Sequence, residues 1–250
     1  MEKLSIVIMT QDNERTIEKC LDSLKGLTDD IVVLDGGSKD KTIQICKKYS
    51  SRVYIRPFRY GKVGLTHRKN MLVKLAKNDW ILSIDSDEVM SDELKIDIKK
   101  TLNNPTCSGY YLYRRDYAFL DRYITTTKIL RLFDRTKGNF RDLIHEKAYV
   151  NGSVGVLKGA LHHYSYRDVA DYFARVNKYT EVEAYNLHLK NKSDFIVLLE
   201  ALARPIAEFF IWYLGKGLWR RGMVGFFYSV GSGIYQFIKY MKYYELKNRA

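Results

Sequence analysis

Apolar positions in the first hundred residues switch between two periods. Residues 4–9, 31–34, 53–55 and 80–84 are short, β-branched or aliphatic runs, each of strand length. Between them lie stretches with apolar residues at helical spacing. These are residues 16–24 (Ile17, Cys20, Leu21, Leu24), residues 40–49 (Ile43, Ile45, Cys46, Tyr49), residues 65–75 and residues 92–102. Regular alternation of this kind predicts parallel strands joined by crossover helices, an α/β fold. In such sheets the ligand crevice lies beyond the carboxyl ends of the strands, so polar motifs directly after strands carry most weight. Between residues 109 and 164 the pattern changes to short β-type runs (109–113, 129–133, 147–150, 154–157) separated by Gly, Asn and Asp, which predicts a mixed or antiparallel extension of the sheet. From residue 167 the chain turns helical, with Val169, Tyr172, Phe173, Val176 and Tyr179 on one face. Residues 195–245 combine Leu, Phe, Tyr and Trp with Lys and Arg.

Composition narrows this picture. The 250 residues make one large domain, or one with an appendage, and 46% hydrophobic content supplies a sizeable core and argues against disorder. A formal net charge of +13 points to anionic partners: nucleic acid, an anionic membrane or a phosphorylated small molecule. Cys20, Cys46 and Cys107 are odd in number and far apart, which suggests neither a zinc site nor a disulfide framework and fits a reducing compartment. The N-terminus runs into the first strand without the apolar region of a signal peptide, so a cytoplasmic location is expected.

Three polar motifs follow the first, second and fourth strands. After residues 80–84 come Asp85, Ser86, Asp87 and Glu88. Two carboxylates two residues apart in such a turn can converge on a hard cation, Mg²⁺ or Mn²⁺, shared with substrate phosphates; the competing reading is an acidic cap on the next helix. After residues 31–34 come Asp35, Gly36, Gly37, Ser38, Lys39 and Asp40, where two glycines allow close backbone approach and a helix start follows, or where an ordinary capped turn stands. After the first strand come Thr10, Gln11, Asp12, Asn13 and Glu14. Each motif is weak singly. Together, on neighbouring crevice loops, they suit a base, a ribose and a metal-bound diphosphate.

On these residues the chain resembles glycosyltransferase family 2, with its nucleotide-sugar-binding GT-A fold, a Rossmann-like mixed sheet. Residues 5–10 followed by Asn13 and Glu14 match the family's opening strand and loop, and residues 35–40 match its Asp-Asp-Gly-Ser-x-Asp element. Gly36 stands there in place of the second Asp, which often holds uracil in relatives. Lys69 and Asn70 match the basic-Asn pair, and Asp85-Ser86-Asp87 matches the Asp-x-Asp metal motif. Arg131-Leu132-Phe133, Ile144-His145-Glu146, Lys158-Gly159 and residues 163–167 resemble the branch of bacterial glucosyltransferases that extend the lipopolysaccharide inner core.

The resemblance implies an inverting, metal-dependent hexosyltransferase. Its donor would be a nucleotide-sugar, UDP-glucose as the family-based expectation, and its acceptor a lipid-anchored glycan such as lipopolysaccharide core. Thr10, Asn13, Glu14, Asp35, Gly37, Lys69 and Asp85 would bind the donor. Asp87 and Asp85 would ligate the metal together with His163, with His162 as the rival imidazole. Glu146 would be the general base, with Asp142 and Asp116 next in line. A catalytic domain is expected over about residues 1–165, with a donor half to about 105 and an acceptor half from about 106, followed by a helical region over about 166–250.

Two other readings compete. A nucleotidyltransferase uses similar chemistry but would carry a Gly-rich basic signature early, where residues 10–15 contain no glycine. A nucleic-acid-binding protein would suit the charge and the 20 tyrosines, but the basic residues are dispersed and no recognised motif appears. The C-terminal region is expected to bind the inner face of the cytoplasmic membrane without crossing it; the competing reading is a helical subdomain packed on the catalytic sheet, or a dimer interface. Its longest charge-free run, residues 222–238, contains four glycines and is shorter than the ~20 apolar residues of a spanning helix. Phe209, Phe210, Trp212, Tyr213, Leu214 and Trp219 lie beside Lys216, Arg220 and Arg221, a composition suited to anionic headgroups.

Overall fold

The computed structural model describes residues 2–49, 52–57, 65–141, 147–189 and 192–248. The chain divides into two compact units, one of residues 1–115 and 126–163, the other of residues 116–125 and 164–250.

The first unit opens as the periodicity predicts, with β1 (Leu4–Thr10), α1 (Ile17–Leu24), β2 (Ile31–Asp35), α2 (Thr42–Lys48), β3 (Arg52–Ile55), α3 (Leu65–Leu75) and β4 (Trp80–Asp85). It continues with β5 (Glu88–Met90), α4 (Asp92–Asn103), β6 (Gly109–Ala118), β7 (Arg122–Asp134), β8 (Gly138–Arg141), β9 (Lys147–Val150) and β10 (Val154–Tyr166), of which β6, β7 and β10 run on into the second unit. Eight strands form one sheet in the order β3-β2-β1-β4-β7-β6-β10-β5, and β8 and β9 form a separate antiparallel pair. β3, β2, β1 and β4 are parallel; β7 runs antiparallel to β4 and β5 antiparallel to β10. The fold class read from the sequence, α/β with a mixed central sheet and a helical C-terminal extension, is the one observed.

β1, β2 and β4 are buried nearly end to end because helices cover both faces. Ile6, Ile8, Val33, Leu82 and Ile84 pack under α1 and α4 with Leu21, Leu24, Leu94 and Ile98. Val7, Val32, Leu34 and Ile81 pack on the other face with Leu72, Val73 and Phe133. The register places Thr10 opposite Asp35 and Met9 opposite Asp85, so the polar motifs leave the sheet at one level along its carboxyl edge. At the other end, buried Asp30 joins three segments: it accepts from Ser5 Oγ (2.6 Å), Arg52 Nη2 (2.6 Å) and the Lys77 backbone N–H (2.8 Å).

β6, β7 and β10 run to 10, 13 and 13 residues, well past the short apolar runs that announce them. β5 falls where a cap for α4 was the competing reading. That cap is Ser91, whose Oγ accepts the Leu94 N–H at 3.2 Å.

The second unit is dominated by α5 (Val169–His188), α6 (Asp194–Phe210) and α7 (Gly222–Asn248), with a π-helical turn at Ile211–Gly215 and a 3₁₀ turn at Leu218–Arg221. The glycines of α7 permit close helix approach. A Cβ on Gly231 would lie 2.6 Å from the Tyr172 hydroxyl, and one on Gly233 2.7 Å from the Pro205 carbonyl. α6 packs through Val197 against Ala184, Leu187, Tyr240 and Tyr243. Its other side leaves Phe195, Leu198, Leu199, Leu202, Ile206 and Phe210 exposed, a contiguous helical stripe. Ile211, Leu214 and Trp219 continue this exposed apolar character beyond it. No helix among the described residues is long and apolar enough to cross a membrane.

Candidate active site

The loops after β1 and β2 brace each other. Asp35, fully buried, turns its carboxylate into its own loop and accepts from the backbone N–H groups of Gly37 (2.8 Å) and Ser38 (2.7 Å) and from the Ser38 hydroxyl. Gly37 adopts φ +90°, which a side chain would strain. Across the gap, Ser38 Oγ accepts the Asp12 N–H and Asp12 Oδ1 accepts the Lys39 N–H, both at 2.8 Å. Glu14 Oε2 accepts the Lys41 N–H, and Asp40 accepts the Glu14 N–H, both at 3.0 Å. Asn13 Nδ2 donates to the Gln11 carbonyl (3.0 Å) and Thr10 Oγ1 (3.3 Å). Thr10, Asn13, Glu14, Asp35 and Gly37 therefore belong to one rigid double loop. Within it, Asp35 and Glu14 spend carboxylate oxygens on backbone donors.

Asp85 ends β4 beside two cations. Arg131, from β7, reaches both of its oxygens, and Lys69 Nζ, from α3, lies 3.6 Å from Oδ1. Burial opposes the charge on Asp85, but Arg131 and then Lys69 outweigh it and hold its carboxyl well below the usual carboxylate range. Glu88, fully buried, accepts the Asp85 N–H at 2.9 Å and faces Arg131 Nη2 at 3.3 Å. Its carboxyl is pushed up by burial, which the partial relief from Arg131 does not offset, and by nearby Asp85. The guanidinium thus serves two acids and fixes the orientation of Asp85. Cys20 Sγ lies 3.6 Å from the Asp85 carbonyl, and its thiol is pushed well up by burial and by Glu88, which keeps it protonated and unreactive.

The β5–β10 register sets His163 opposite Glu88 and His162 opposite Val89. His163 Nε2 then lies 3.5 Å from Asp87 Oδ1, both side chains being mostly buried. His162 is kept toward its neutral form by burial and by Arg115. Adjacent ligands of an octahedral Mg²⁺ at about 2.1 Å stand roughly 3 Å apart, so Asp87 and His163 are close to the spacing that one ion requires. Among the described residues no three His, Cys, Asp or Glu side chains converge. Two protein ligands, with the remaining positions left to water and substrate phosphate, suit a cation that is usually bound in that way.

Asn70 ties α3 to β8: its Nδ2 donates to the Phe140 carbonyl and its Oδ1 accepts the Phe140 N–H, both at 2.9 Å. Phe140 in turn lies beneath Lys69, whose Nζ is 5.3 Å from the ring centre. Glu146, together with Asp142 and His145, lies outside the described residues. Arg131 was legible only as part of a motif. The signal that it pairs with acid was its place inside an apolar strand, where a charge needs a partner.

The family model described as "Glycosyl transferase family 2" matches residues 5–165. An uncharacterized glycosyltransferase, RT0209, of Rickettsia typhi is 27% identical over 99% of this chain and 87% of its own length. The lipopolysaccharide core biosynthesis glycosyltransferase LpsC of Rhizobium meliloti is 27% identical over 97% of this chain and 92% of its own. Among solved structures, residues 1–349 of TarS from S. aureus align at 15% identity and a TM-score of 0.49, covering 99% of this chain and 92% of that one.

Proposed function

Since the chain belongs to glycosyltransferase family 2, we propose that it is an inverting, metal-dependent hexosyltransferase that moves glucose from UDP-glucose to a hydroxyl of a membrane-associated glycan of lipopolysaccharide-core type. The observation that carries this reading is the 3.5 Å approach of Asp87 to His163, one turn beyond an Asp85 held ionised by Arg131. The similarity to LpsC supports the acceptor class.

In this mechanism the double loop of Thr10, Asn13, Glu14, Asp35 and Gly37 receives the nucleoside, and ionised Asp85 accepts a hydrogen bond from a ribose hydroxyl. Lys69, beside Asp85, adds positive charge near the donor. Asp87 and His163 would hold Mg²⁺ or Mn²⁺, which when bound would supply Lewis acidity for the negative charge of the departing diphosphate. Glu146 takes the proton of the acceptor hydroxyl as its oxygen attacks the anomeric carbon from the face opposite the diphosphate. The bond from that carbon to the diphosphate oxygen breaks, its electron pair leaves with UDP, and the configuration inverts. The exposed apolar stripe of α6, with Lys216, Arg220 and Arg221 nearby in the chain, suits peripheral binding at the inner face of the cytoplasmic membrane, where such an acceptor is held.

The test is a screen of UDP-, GDP- and dTDP-sugars for Mn²⁺-dependent release of nucleoside diphosphate. Release from UDP-glucose above all others is expected. Failure of every donor, with and without core oligosaccharide, overturns the reading.

A further inference from the structure

Beyond the edge where β1, β2 and β4 end, a cavity of about 620 Å³ opens on β6 and β7. Lys69, Arg114, Lys128, Arg131 and Lys147 line it, against a single carboxylate, Asp85, among the described residues. That carboxylate already faces Arg131 and Lys69. The remaining three cations come from separate strands: Arg114 from β6, Lys128 from β7 and Lys147 from β9. The exposed ring of Tyr111 adds a flat apolar surface to the lining.

We propose that this cavity seats the acceptor, and that the acceptor is a sugar bearing a phosphate or carboxylate group, held by Lys128, Arg114 and Lys147. The inference rests on the transferase reading above and adds the chemical class of the acceptor. Its place follows from the strand order. The proposed donor loops leave β2, β1 and β4, whereas the cavity spreads over β7 and β6, on the opposite side of β4. Two strand spacings, about 10 Å, separate β4 from β6. Asp85 and Lys69 form the shared corner, so what fills the cavity adjoins the donor. The volume is of the size that takes a substituted sugar. Cations gathered in a concave site attract an anion more strongly than the same cations dispersed over a surface. A neutral sugar offers them only hydroxyl acceptors, whereas phosphate accepts stronger, charge-assisted hydrogen bonds from several at once.

The test measures binding of glucose 6-phosphate, glucuronate and glucose to the full-length protein by calorimetry, with UDP and MnCl₂ saturating so that the donor side is filled. Glucose 6-phosphate, glucuronate or both should bind at least tenfold more tightly than glucose, and their ranking separates phosphate from carboxylate. Lys128→Glu, at an exposed position that tolerates the change, should weaken the charged sugar at least tenfold. Lys99→Glu, the same change on exposed α4, should not. Equal binding of charged and neutral sugars, no binding of either, or equal losses in both variants would overturn the proposal. A wild-type protein that binds charged sugar in this pattern yet releases UDP from no donor would overturn the transferase reading and leave the anion site standing.

Discussion

Asn70 and Phe140, seventy positions apart, exchange two hydrogen bonds as neighbouring strands do, though one partner is a side-chain amide. The pair fixes the β8–β9 sheet against α3 and so sets the floor beneath Lys69. Asn70→Ala leaves a buried N–H and carbonyl of Phe140 unsatisfied, which costs about 1–3 kcal/mol. Urea denaturation should show a loss in that range. A variant as stable as the wild type would mean that water replaces both bonds without penalty.

Asp30 gives a pH-dependent prediction. Burial opposes its charge, but hydrogen bonds from Ser5 and the Lys77 backbone, and then Arg52, hold its carboxyl below the usual range. A lowered folded value stabilises the protein above the ordinary carboxylate range, and this stabilisation is lost as pH falls through the folded value. Asp30→Asn should therefore cost about 2–3 kcal/mol at neutral pH. The gap between variant and wild type should stay constant from pH 8 to about 5 and narrow below about 4. A gap unchanged at pH 3 would show that the charge of Asp30 contributes nothing.

Glu146 carries the proton transfer in the proposed reaction. Glu146→Gln keeps the shape but cannot take the proton, so kcat should fall by about 10²–10⁴ with the donor KM little changed. Normal turnover would move the base elsewhere, Asp142 and Asp116 being the next residues to replace.

The exposed stripe of α6 predicts behaviour at membranes. Full-length protein should float with liposomes containing anionic lipid at low salt and be released by high salt with alkali. Leu199→Glu with Leu202→Glu, both exposed, should abolish flotation without lowering the melting temperature. Protein that remains unbound, or that resists extraction, contradicts peripheral docking.

The parallel half of the sheet was readable because burial on both faces writes continuous apolar runs with helices between them. β7 was half hidden, since its first seven residues, Arg122 to Lys128, are mainly polar and form no apolar run. β5 is three residues long and contains buried Glu88, so no periodicity could announce it. The acidic motif was found from its position after β4, but the cation that Asp85 faces was not. That cation, Arg131, lies forty-six positions from Asp85, and the β5–β10 register brings His163 beside Asp87. The double loop was legible as polar residues at strand ends. That Asp35 and Glu14 brace backbone follows from packing between loops that lie far apart in sequence.

The central claim is that Asp87 and His163 hold the ion on which transfer depends, and a metal titration tests it most directly. Chelator-treated wild type, Asp87→Ala, His163→Ala and His162→Ala are each titrated with MnCl₂, and UDP release from UDP-glucose is followed. Wild-type activity should return with Mn²⁺, Asp87→Ala should stay inactive at every concentration while melting normally, and His163→Ala should need at least tenfold more metal than His162→Ala. Full activity of Asp87→Ala in chelator-treated buffer would contradict the account.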